Sequence, residues 1–558
     1  MARLKLTNQH PSLEVSLASS LYKPRPDGSG PAATPPTNLT VLRGERWSCQ
    51  LLLDWSGHMR QELEVTTTEP DGAQVTVRTL DYVPVRFATY GESDDNYLST
   101  APGLFPDPLL PLENNRVFVA PRYRVALWID VEVDADCPAG DLPLEIALHS
   151  PDGRATAALT LEVMPVTATA PDILHTEWFH ADTIADYYGY EVFSEEHWQA
   201  LEAYMALAAK RSINLLLTPL FTPPLDTAVG HERTTVQLIG VREPAPGQWE
   251  FNFDGLERWV TTARRAGIEN FELCHLFTQW GAAHAPKVMV THPDGSQTRR
   301  FGWETDACGD DWRAFLTAFL PQLVAWLDAH ELRGRAIFHI SDEPQLEHLP
   351  AYQAARDLVV PLVDPYPIMD ALSDFAFFQK GIVKQPVVAS DHVGPFLEAD
   401  VKGLWTYYCC AQHKGVANRF IAMPSGRARI LGAQLFRYDF AGFLHWGYNF
   451  YNRQYSLGRI DPWRVNDAGL GFPGGDAFVV YPGPDGTPYD SLRQMLTADA
   501  FADLAALQQL AAHRGHGAVI DLMTDVFGAD LTMIARPEDQ DRLEILRERV
   551  NRELALCV

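Results

Sequence analysis

FHISDEP, residues 338–344, is an apolar segment that runs into two adjacent acids, Asp342 and Glu343, and is stopped at once by a proline. The segment is typical of a buried barrel strand that delivers its last side chains to a site at the carboxyl end of the strand. Two neighbouring carboxylates repel when both are ionised, so one tends to keep its proton at neutral pH. A protonated acid beside an ionised one suits acid–base chemistry on a glycosidic bond. A solvated turn after a strand is the alternative, since Asp-Glu pairs are common.

Short apolar runs and segments of helical period alternate on both sides of this stretch. The pattern predicts strands over residues 173–179, 213–217, 271–277, 336–340, 366–372, 386–389, 403–408 and 441–446, and helices over 194–211, 256–266, 311–329 and 348–361. Eight strands of this kind favour a (β/α)8 barrel of the TIM type over an open doubly wound sheet. No GxGxxG loop follows the first strand, which also argues against a dinucleotide-binding fold.

Residues 1–166 follow a different rhythm, in which apolar and polar side chains alternate with period two, as in Leu63-Glu64-Val65-Thr66. Turn clusters such as Pro70-Asp71-Gly72 separate these runs, so an antiparallel β-sandwich is predicted. A Pro/Thr/Ala-rich connector leads to the barrel, assigned to residues 172–488. Amphipathic helices over 491–513 and 542–556 predict that residues 489–558 form a helical cap packed on the barrel. The chain is therefore interpreted as multidomain.

The amino-acid composition limits the kinds of molecule that the protein can be expected to bind. A formal net charge of -27 disfavours nucleic acid and anionic membranes, so a small neutral or cationic ligand fits better. The 7 cysteines are scattered and lack zinc-site spacing, which indicates free thiols in a reducing compartment. Neither a signal-like apolar region nor a membrane-length apolar stretch is present. We expect a cytoplasmic protein without membrane insertion, and the sequence leaves a homo-oligomer open.

Strand ends are where a barrel places its chemistry. Aromatic and hydrogen-bonding side chains gather at the predicted ends, and such a mixture suits a pyranose, which offers apolar C–H faces and hydroxyl groups. Each of them alone fits a packed core equally well. The candidate substrate-binding residues are His180, Asp182, His275, Gln279, Trp280, Asp370, Trp405, Tyr407, Trp446, Tyr448 and Asn449.

No metal site or cofactor is predicted, because the histidines are dispersed and the nearby acids do not form a ligand set. No GxSxG nucleophile elbow occurs, so serine hydrolysis is not expected.

A second catalytic acid is missing where many barrel glycosidases carry it, at the end of strand seven. Between residues 401 and 460 the only acid is Asp439, which precedes strand eight, and Asp370 and Asp374 are the only nearby substitutes. Substrate-assisted hydrolysis needs no enzyme nucleophile, because the 2-acetamido group of an N-acetylhexosamine attacks its own anomeric carbon. Glu343 would then protonate the leaving oxygen, and Asp342 would orient the acetamido group.

Geometry poses a difficulty for this hypothesis, because adjacent residues on a regular strand point to opposite faces. Pro344 offers a partial answer, since it interrupts strand pairing at that point.

Several segments resemble the bacterial domain-of-unknown-function family 4091, which is related to glycoside hydrolase family 123, the β-N-acetylgalactosaminidases. The segments are FHISDEP, GWETDA, LFTPPLDTA, LFTQWGAAHAPK, LWTYYCC and GFLHWGYNFYN, within residues 170–515. The resemblance implies retaining, exo-acting release of terminal β-linked GalNAc from a carbohydrate or glycoconjugate. It implies that Glu343 is the general acid/base and that Asp342 orients the acetamido group. It also implies that the aromatic walls of the sugar site are formed by Trp405, Tyr407, Trp446 and Tyr448. A β-N-acetylglucosaminidase, a broad β-hexosaminidase and an inactive carbohydrate-binding barrel are the alternatives.

Overall fold

Two facing β-sheets form the N-terminal part of the computed structural model, which describes residues 3–528 and 531–558. Their strands are β1 (Leu4–Asn8), β2 (Leu13–Ser19), β3 (Thr40–Arg43), β4 (Arg46–Trp55), β5 (Gln61–Thr67), β6 (Ala73–Val85), β7 (Gly103–Pro111), β8 (Arg116–Val119), β9 (Val125–Val133), β10 (Gly140–Ser150) and β11 (Gly153–Thr167). One sheet has the order β1-β11-β10-β5-β8, and the other β2-β4-β9-β6-β7. All these neighbours pair antiparallel, while β3 adds to β11 in parallel.

The inward residues of the two sheets share one apolar core, which includes Leu51 and Ile129 from one sheet and Leu63, Ile146 and Leu161 from the other. Alternating side chains face this core, as expected for half-buried strands. The predicted sandwich is confirmed.

Fourteen strands follow: β12 (Leu174–Glu177), β13 (Leu215–Thr218), β14 (Gly240–Ala245), β15 (Gln248–Asn252), β16 (Asn270–Leu273), β17 (Val288–Thr291), β18 (Gln297–Phe301), β19 (Ala336–Phe338), β20 (Asp370–Ala371), β21 (Pro386–Ala389), β22 (Trp405–Tyr407), β23 (Gly442–His445), β24 (Tyr481–Pro482) and β25 (Pro488–Tyr489). Eight of them form one parallel sheet in the order β19-β16-β13-β12-β23-β22-β21-β20. A parallel bridge between Phe338 and Ile368 joins the two ends of this order. The sheet is therefore a TIM-like barrel.

Helices follow each barrel strand, as the sequence pattern indicated. They are α1 (Ala181–Tyr188), α2 (Glu195–Lys210), α3 (Asp254–Ala266), α4 (Asp310–Ala329), α5 (Leu349–Val363), α6 (Phe375–Gln379), α7 (Gly394–Glu398), α8 (Gly426–Arg429), α9 (Leu431–Arg437), α10 (Leu492–Arg514), α11 (His516–Phe527) and α12 (Asp541–Ala555). The predicted helices at 194–211, 311–329 and 491–513 match α2, α4 and α10 to within a residue or two. Helix α11 and the hairpins β14–β15 and β17–β18 were not predicted.

The C-terminal helices contact both halves of the molecule. Helix α10 packs against α8 and α9 of the barrel, whereas α12 packs against α10 and against β3 and β11 of the sandwich. A single apolar cluster accordingly joins Trp128 of the sandwich, Phe443 of the barrel and Phe501 of α10. The predicted cap thus also touches the sandwich, and the boundaries at 166, 172 and 488 stay an interpretation. Across the described residues, no helix has the length and apolar character needed to cross a membrane.

Buried ion pairs tie these parts together. Asp107 on β7 of the sandwich accepts two hydrogen bonds from Arg493 on α10, at 2.9 and 2.8 Å, and a third from the hydroxyl of Tyr481 at 2.6 Å. Arg493 and Asp107 are both buried. Removing one partner of such a pair leaves the other charge uncompensated in a low-dielectric surrounding.

We expect Asp107→Asn to destabilise the protein by about 3–5 kcal/mol, because Arg493 would keep its charge without a counterion. Urea unfolding measures the difference. The matched control is Glu62→Gln, which removes the exposed partner of Arg116 on the sandwich surface and should cost less than about 1 kcal/mol. Equal effects of the two substitutions would contradict the anchoring role of Asp107.

Candidate active site

A cavity of about 780 Å³ opens at the carboxyl ends of the barrel strands. Residues that follow strands one, two, three, four, five, seven and eight all contribute to it, so most of the barrel rim is used. The lining residues are Trp178, His180, Leu225, Asp226, Gln279, Trp280, Asp342, Glu343, Ala371, Tyr407, Cys409, Cys410, Leu444, Trp446, Gln454, Tyr455 and Phe472. Both predicted catalytic acids therefore lie in the largely apolar cavity that this fold places at its functional end.

The acid pair stands on irregular backbone. Strand β19 ends at Phe338, four residues before Asp342, so the acids lie in the following loop and not on the strand itself. Glu343 has a φ of 45°, in the left-handed region that a residue with a side chain rarely occupies. Strand alternation does not apply to such a turn, and both side chains line one cavity.

Neighbouring loops fix this turn through backbone hydrogen bonds. The N–H of Glu343 donates to the carbonyl of Ala371, the last residue of strand five, at 3.0 Å, and the carbonyl of Asp342 accepts from the N–H of Trp280 after strand three at 3.0 Å. A strained backbone conformation persists when its surroundings determine it in this way.

Each acid also has its own side-chain donor. The amide nitrogen of Gln279 donates to Oδ2 of Asp342 at 2.8 Å, and the hydroxyl of Tyr407 donates to Oε1 of Glu343 at 2.8 Å. One oxygen of each carboxyl group is left for a ligand.

Burial, and next the charge of Glu343, raise the pKa of Asp342 well above its usual range. Asp342 therefore keeps its proton to higher pH than an exposed aspartic acid does, as expected of a buried carboxyl group beside a like charge. Burial, followed by the Glu343 charge, also raises the pKa of Tyr407, so its hydroxyl stays protonated and donates to Glu343.

Beneath the acid pair lies a buried charge cluster formed by Glu272, His339 and Asp370. Nε2 of His339 lies 2.7 Å from a carboxyl oxygen of Glu272, and Nδ1 lies 3.3 Å from one of Asp370. The contact with Glu272 is an ion pair whose geometry is not that of a hydrogen bond. Burial alone would lower the pKa of His339, but these two carboxylates raise it to about 10. His339 is therefore a cation inside the barrel, and it attracts the negative form of Asp342.

His275, His339 and Asp370 bring possible metal-ligand atoms within 4.8 Å of one another. The two imidazole rings are stacked, with centroids 4.5 Å apart and planes 29° apart. Because the lone pair of a ring nitrogen lies in the ring plane, stacked rings direct their lone pairs side by side and not towards one ion. His339 is moreover occupied by its carboxylate partners, so the arrangement fits a charge cluster better than a metal centre.

Aromatic side chains form the walls of the cavity. The indole N–H of Trp446 donates to Asp476 at 2.9 Å, and that of Trp178 donates to Glu272 at 2.8 Å, which fixes both rings. Trp280 and Tyr455 stand at the mouth, each about two fifths exposed, with ring centroids 6.0 Å apart.

His180 lines the cavity but has no free nitrogen. Its Nδ1 accepts from the guanidinium of Arg233 and its Nε2–H donates to the carbonyl of Trp446, each at 3.0 Å. Burial, and next Arg233, lower the pKa of His180 to about 3, so the ring is neutral. His180 therefore offers a ligand its ring surface and no polar atom.

Six of the predicted substrate-binding residues do not line the cavity and are buried around it. Asp182 forms a buried two-bond ion pair with Arg233, and Asn449 accepts the backbone N–H of His180. Tyr448 is buried against Phe179. Asp370 belongs to the charge cluster, and His275 stacks on His339 of that cluster. Trp405 lies two residues before Tyr407 on the same strand face, hence about 6–7 Å deeper in the barrel wall.

The remaining five predicted residues line the cavity together with the acid pair: His180, Gln279, Trp280, Tyr407 and Trp446. Sequence reasoning missed Asp226, Cys409, Cys410, Gln454 and Tyr455. The family resemblance is the one sequence signal that points to some of them. Its segment LFTPPLDTA contains Asp226, and its segment LWTYYCC contains Cys409 and Cys410.

The TIM-like barrel, its sandwich partner and an acid pair in an aromatic-walled cavity together define a glycosidase. A family model for the catalytic domain of glycoside hydrolase 123 matches residues 178–510. The chain belongs to glycoside hydrolase family 123.

One solved structure supports the fold. The chain is similar to a family 123 glycoside hydrolase from Clostridium perfringens, described in a study of glycolipid glycan hydrolysis, with a TM-score of 0.73 and 12% identity over 98% of this chain and 99% of that one. A β-glucuronidase from Parabacteroides merdae matches with a TM-score of 0.31 and 10% identity over 90% of this chain and 52% of that one, a likeness too weak to carry an argument. No curated protein sequence matches the chain.

The raised pKa of Asp342 has a consequence for stability. The folded state holds the proton of Asp342 to higher pH than the unfolded chain does, so this residue makes stability fall as pH rises above the usual pKa of Asp, about 3.9. Asp342→Asn removes that cost and should stabilise the protein at pH 7 by about 0.5–2 kcal/mol. Thermal unfolding at pH 4 and pH 7 tests this, and the gain should shrink at pH 4. Exposed Asp439→Asn is the control, and a variant less stable than wild type at pH 7 would contradict the argument.

Proposed function

We propose that the protein is an exo-acting, retaining β-N-acetylgalactosaminidase that releases terminal β-linked GalNAc by substrate-assisted hydrolysis. The observation that carries the proposal is the acid pair: two adjacent carboxyl groups in one aromatic-walled cavity, each with one oxygen that no donor among the described residues reaches. Strand seven contributes Tyr407 where the two-carboxylate scheme would need an acid. Asp226 is the one further carboxyl among the described residues that line the cavity.

Glu343 acts first as the general acid. It gives its proton to the glycosidic oxygen while the acetamido oxygen attacks the anomeric carbon, so the bond to the leaving group breaks and an oxazolinium ring forms. The hydroxyl of Tyr407 holds Oε1 of Glu343, which leaves Oε2 for this transfer. In the second step the ionised Glu343 takes a proton from water, which attacks the anomeric carbon and opens the ring with net retention.

Asp342 stabilises the substrate's nucleophile. Its free oxygen accepts the acetamido N–H, which turns the acetamido carbonyl towards the anomeric carbon and stabilises the positive charge that develops. A hydrogen bond to the carboxylate also lowers the raised pKa of Asp342, so substrate binding favours the ionised form of Asp342 that this role requires.

The mouth of the cavity suits the leaving group. Trp280 and Tyr455 expose apolar rings there, and such rings stack on sugar faces or on other apolar aglycones. The preference for GalNAc over GlcNAc and the cytoplasmic location are likewise proposed, from the sequence and its family resemblance.

The proposal is tested with 4-nitrophenyl β-glycosides of GalNAc, GlcNAc and galactose. We expect kcat/KM for the galactoside to be lower than for GalNAc by about 10³-fold or more, because the galactoside lacks the internal nucleophile. Galactoside cleavage as fast as that of its acetamido analogue would rule out the mechanism. Faster cleavage of the GlcNAc glycoside would keep the mechanism and change the assigned sugar.

Glu343→Gln separates acid catalysis from the other roles of the site. For phenyl β-GalNAc, a poor leaving group, kcat/KM should fall by about 10²–10⁴-fold, whereas for the activated 2,4-dinitrophenyl glycoside the loss should be much smaller. Asp342→Asn should impair both substrates alike. Glu347→Gln, an exposed acid of the same loop, is the matched control and should leave both rates unchanged. Equal losses of Glu343→Gln on both leaving groups would contradict its role as acid.

A further inference from the structure

Asp226 is a third carboxyl group in the cavity, and the steps above do not use it. It follows strand β13 and is almost completely buried, with 8% of its surface exposed. Its Oδ2 accepts the backbone N–H of Tyr455 at 2.9 Å. Within residues 3–528 and 531–558, no donor reaches its Oδ1, and Asp226 lines the cavity.

One carboxamide joins Asp226 to the acid pair. The backbone N–H of Asp226 donates to Oε1 of Gln279 at 2.6 Å, and Nε2 of the same side chain donates to Oδ2 of Asp342 at 2.8 Å. Asp226 and Asp342 therefore stand one amide group apart along the same wall.

The position of Asp226 is also fixed by its backbone. Its φ of 41° lies in the left-handed region, and its carbonyl accepts the hydroxyl of Ser456 at 2.7 Å. These contacts tie the loop after strand two to the loop after strand eight. A side chain held in this way is pre-organised for a ligand, because binding costs it little conformational freedom.

An oxygen acceptor with no protein donor suits a ligand rich in hydroxyl groups. Burial raises the pKa of Asp226 to about 6, which reflects a carboxyl group that lacks the donors needed to stabilise its charge. A sugar hydroxyl would supply such a donor, and hydrogen bonds to ionised groups are the stronger kind.

We propose that Asp226 accepts a hydrogen bond from a hydroxyl group on the C3–C4 edge of the sugar and so determines specificity for the glycon. The inference rests on the proposed function, because the acetamido group on C2 at Asp342 fixes which edge of the ring runs along the wall towards Asp226. C3 and C4 are the next ring carbons in that direction. A residue that reads this edge contributes to the choice between sugars that differ there.

The test compares wild type and Asp226→Asn on 4-nitrophenyl β-GalNAc and on its 3-deoxy and 4-deoxy analogues. Asn keeps an oxygen for the N–H of Tyr455 and tolerates the left-handed backbone, but it turns an amide nitrogen towards the cavity. In wild type we expect kcat/KM to fall by about 10- to 100-fold on one deoxy analogue. Asp226→Asn should lower kcat/KM on the parent substrate by a similar factor. For this variant, removal of the same hydroxyl group from the substrate should then lower kcat/KM little further.

Asp439→Asn is the matched control, since Asp439 is also left-handed, with a φ of 53°, but is exposed at the opposite end of the barrel. Asp226→Ala, compared at equal folded fraction, should behave as Asp226→Asn does. The inference would be overturned if both deoxy analogues lowered kcat/KM by the same factor in the variants as in wild type. Asp226 would then serve only to hold the Tyr455 loop. A wild type that cleaves no β-N-acetylhexosaminide would instead overturn the proposed function.

Discussion

Two adjacent carboxyl groups can serve one cavity here because the backbone leaves strand geometry between strand β19 and Glu343. A regular strand would send Asp342 and Glu343 to opposite faces. The left-handed conformation of Glu343 brings them together, and it is held by a hydrogen bond to Ala371 on one side and, through Asp342, by one from Trp280 on the other. The barrel closes around this point, since strands three and five flank strand four in the closed order. The geometry of the acid pair thus depends on closure of the sheet.

The larger elements could be predicted because their patterns are long or repeated. Helix α4 shows an apolar face over twenty residues, and the eight barrel strands recur as short apolar runs between helices. Helices α6 and α7 span five residues each, too short for a helical period to show. The hairpin β17–β18 ends in QTRRF, whose exposed polar residues carry no core-facing alternation. Such elements are determined by packing on the barrel rim, which the local sequence does not encode.

The site could be predicted at the level of strand ends but not of individual side chains. Tyr407 and Trp405 share one strand face, and depth along the strand decides that Tyr407 reaches the cavity while Trp405 stays in the wall. Trp405 packs so closely over Gly442 of the next strand that a β-carbon there would lie 2.0 Å from the indole ring. Asp226 was missed for the opposite reason, since it lies eight residues beyond its strand in a loop whose course depends on contacts with Tyr455 and Ser456.

The charges inside the barrel act on the pKa of Asp342 in opposite directions. Burial and the charge of Glu343 favour the neutral form of Asp342, while the buried cation His339 favours its ionised form. Glu272 and Asp370 keep His339 charged, so the opposing influences act at one place on one carboxyl group. A further donor to Asp342 would favour its ionised form in the same way as His339 does. In the proposed mechanism the acetamido N–H of the substrate is that donor, so a sugar without the acetamido group would leave Asp342 in its neutral form.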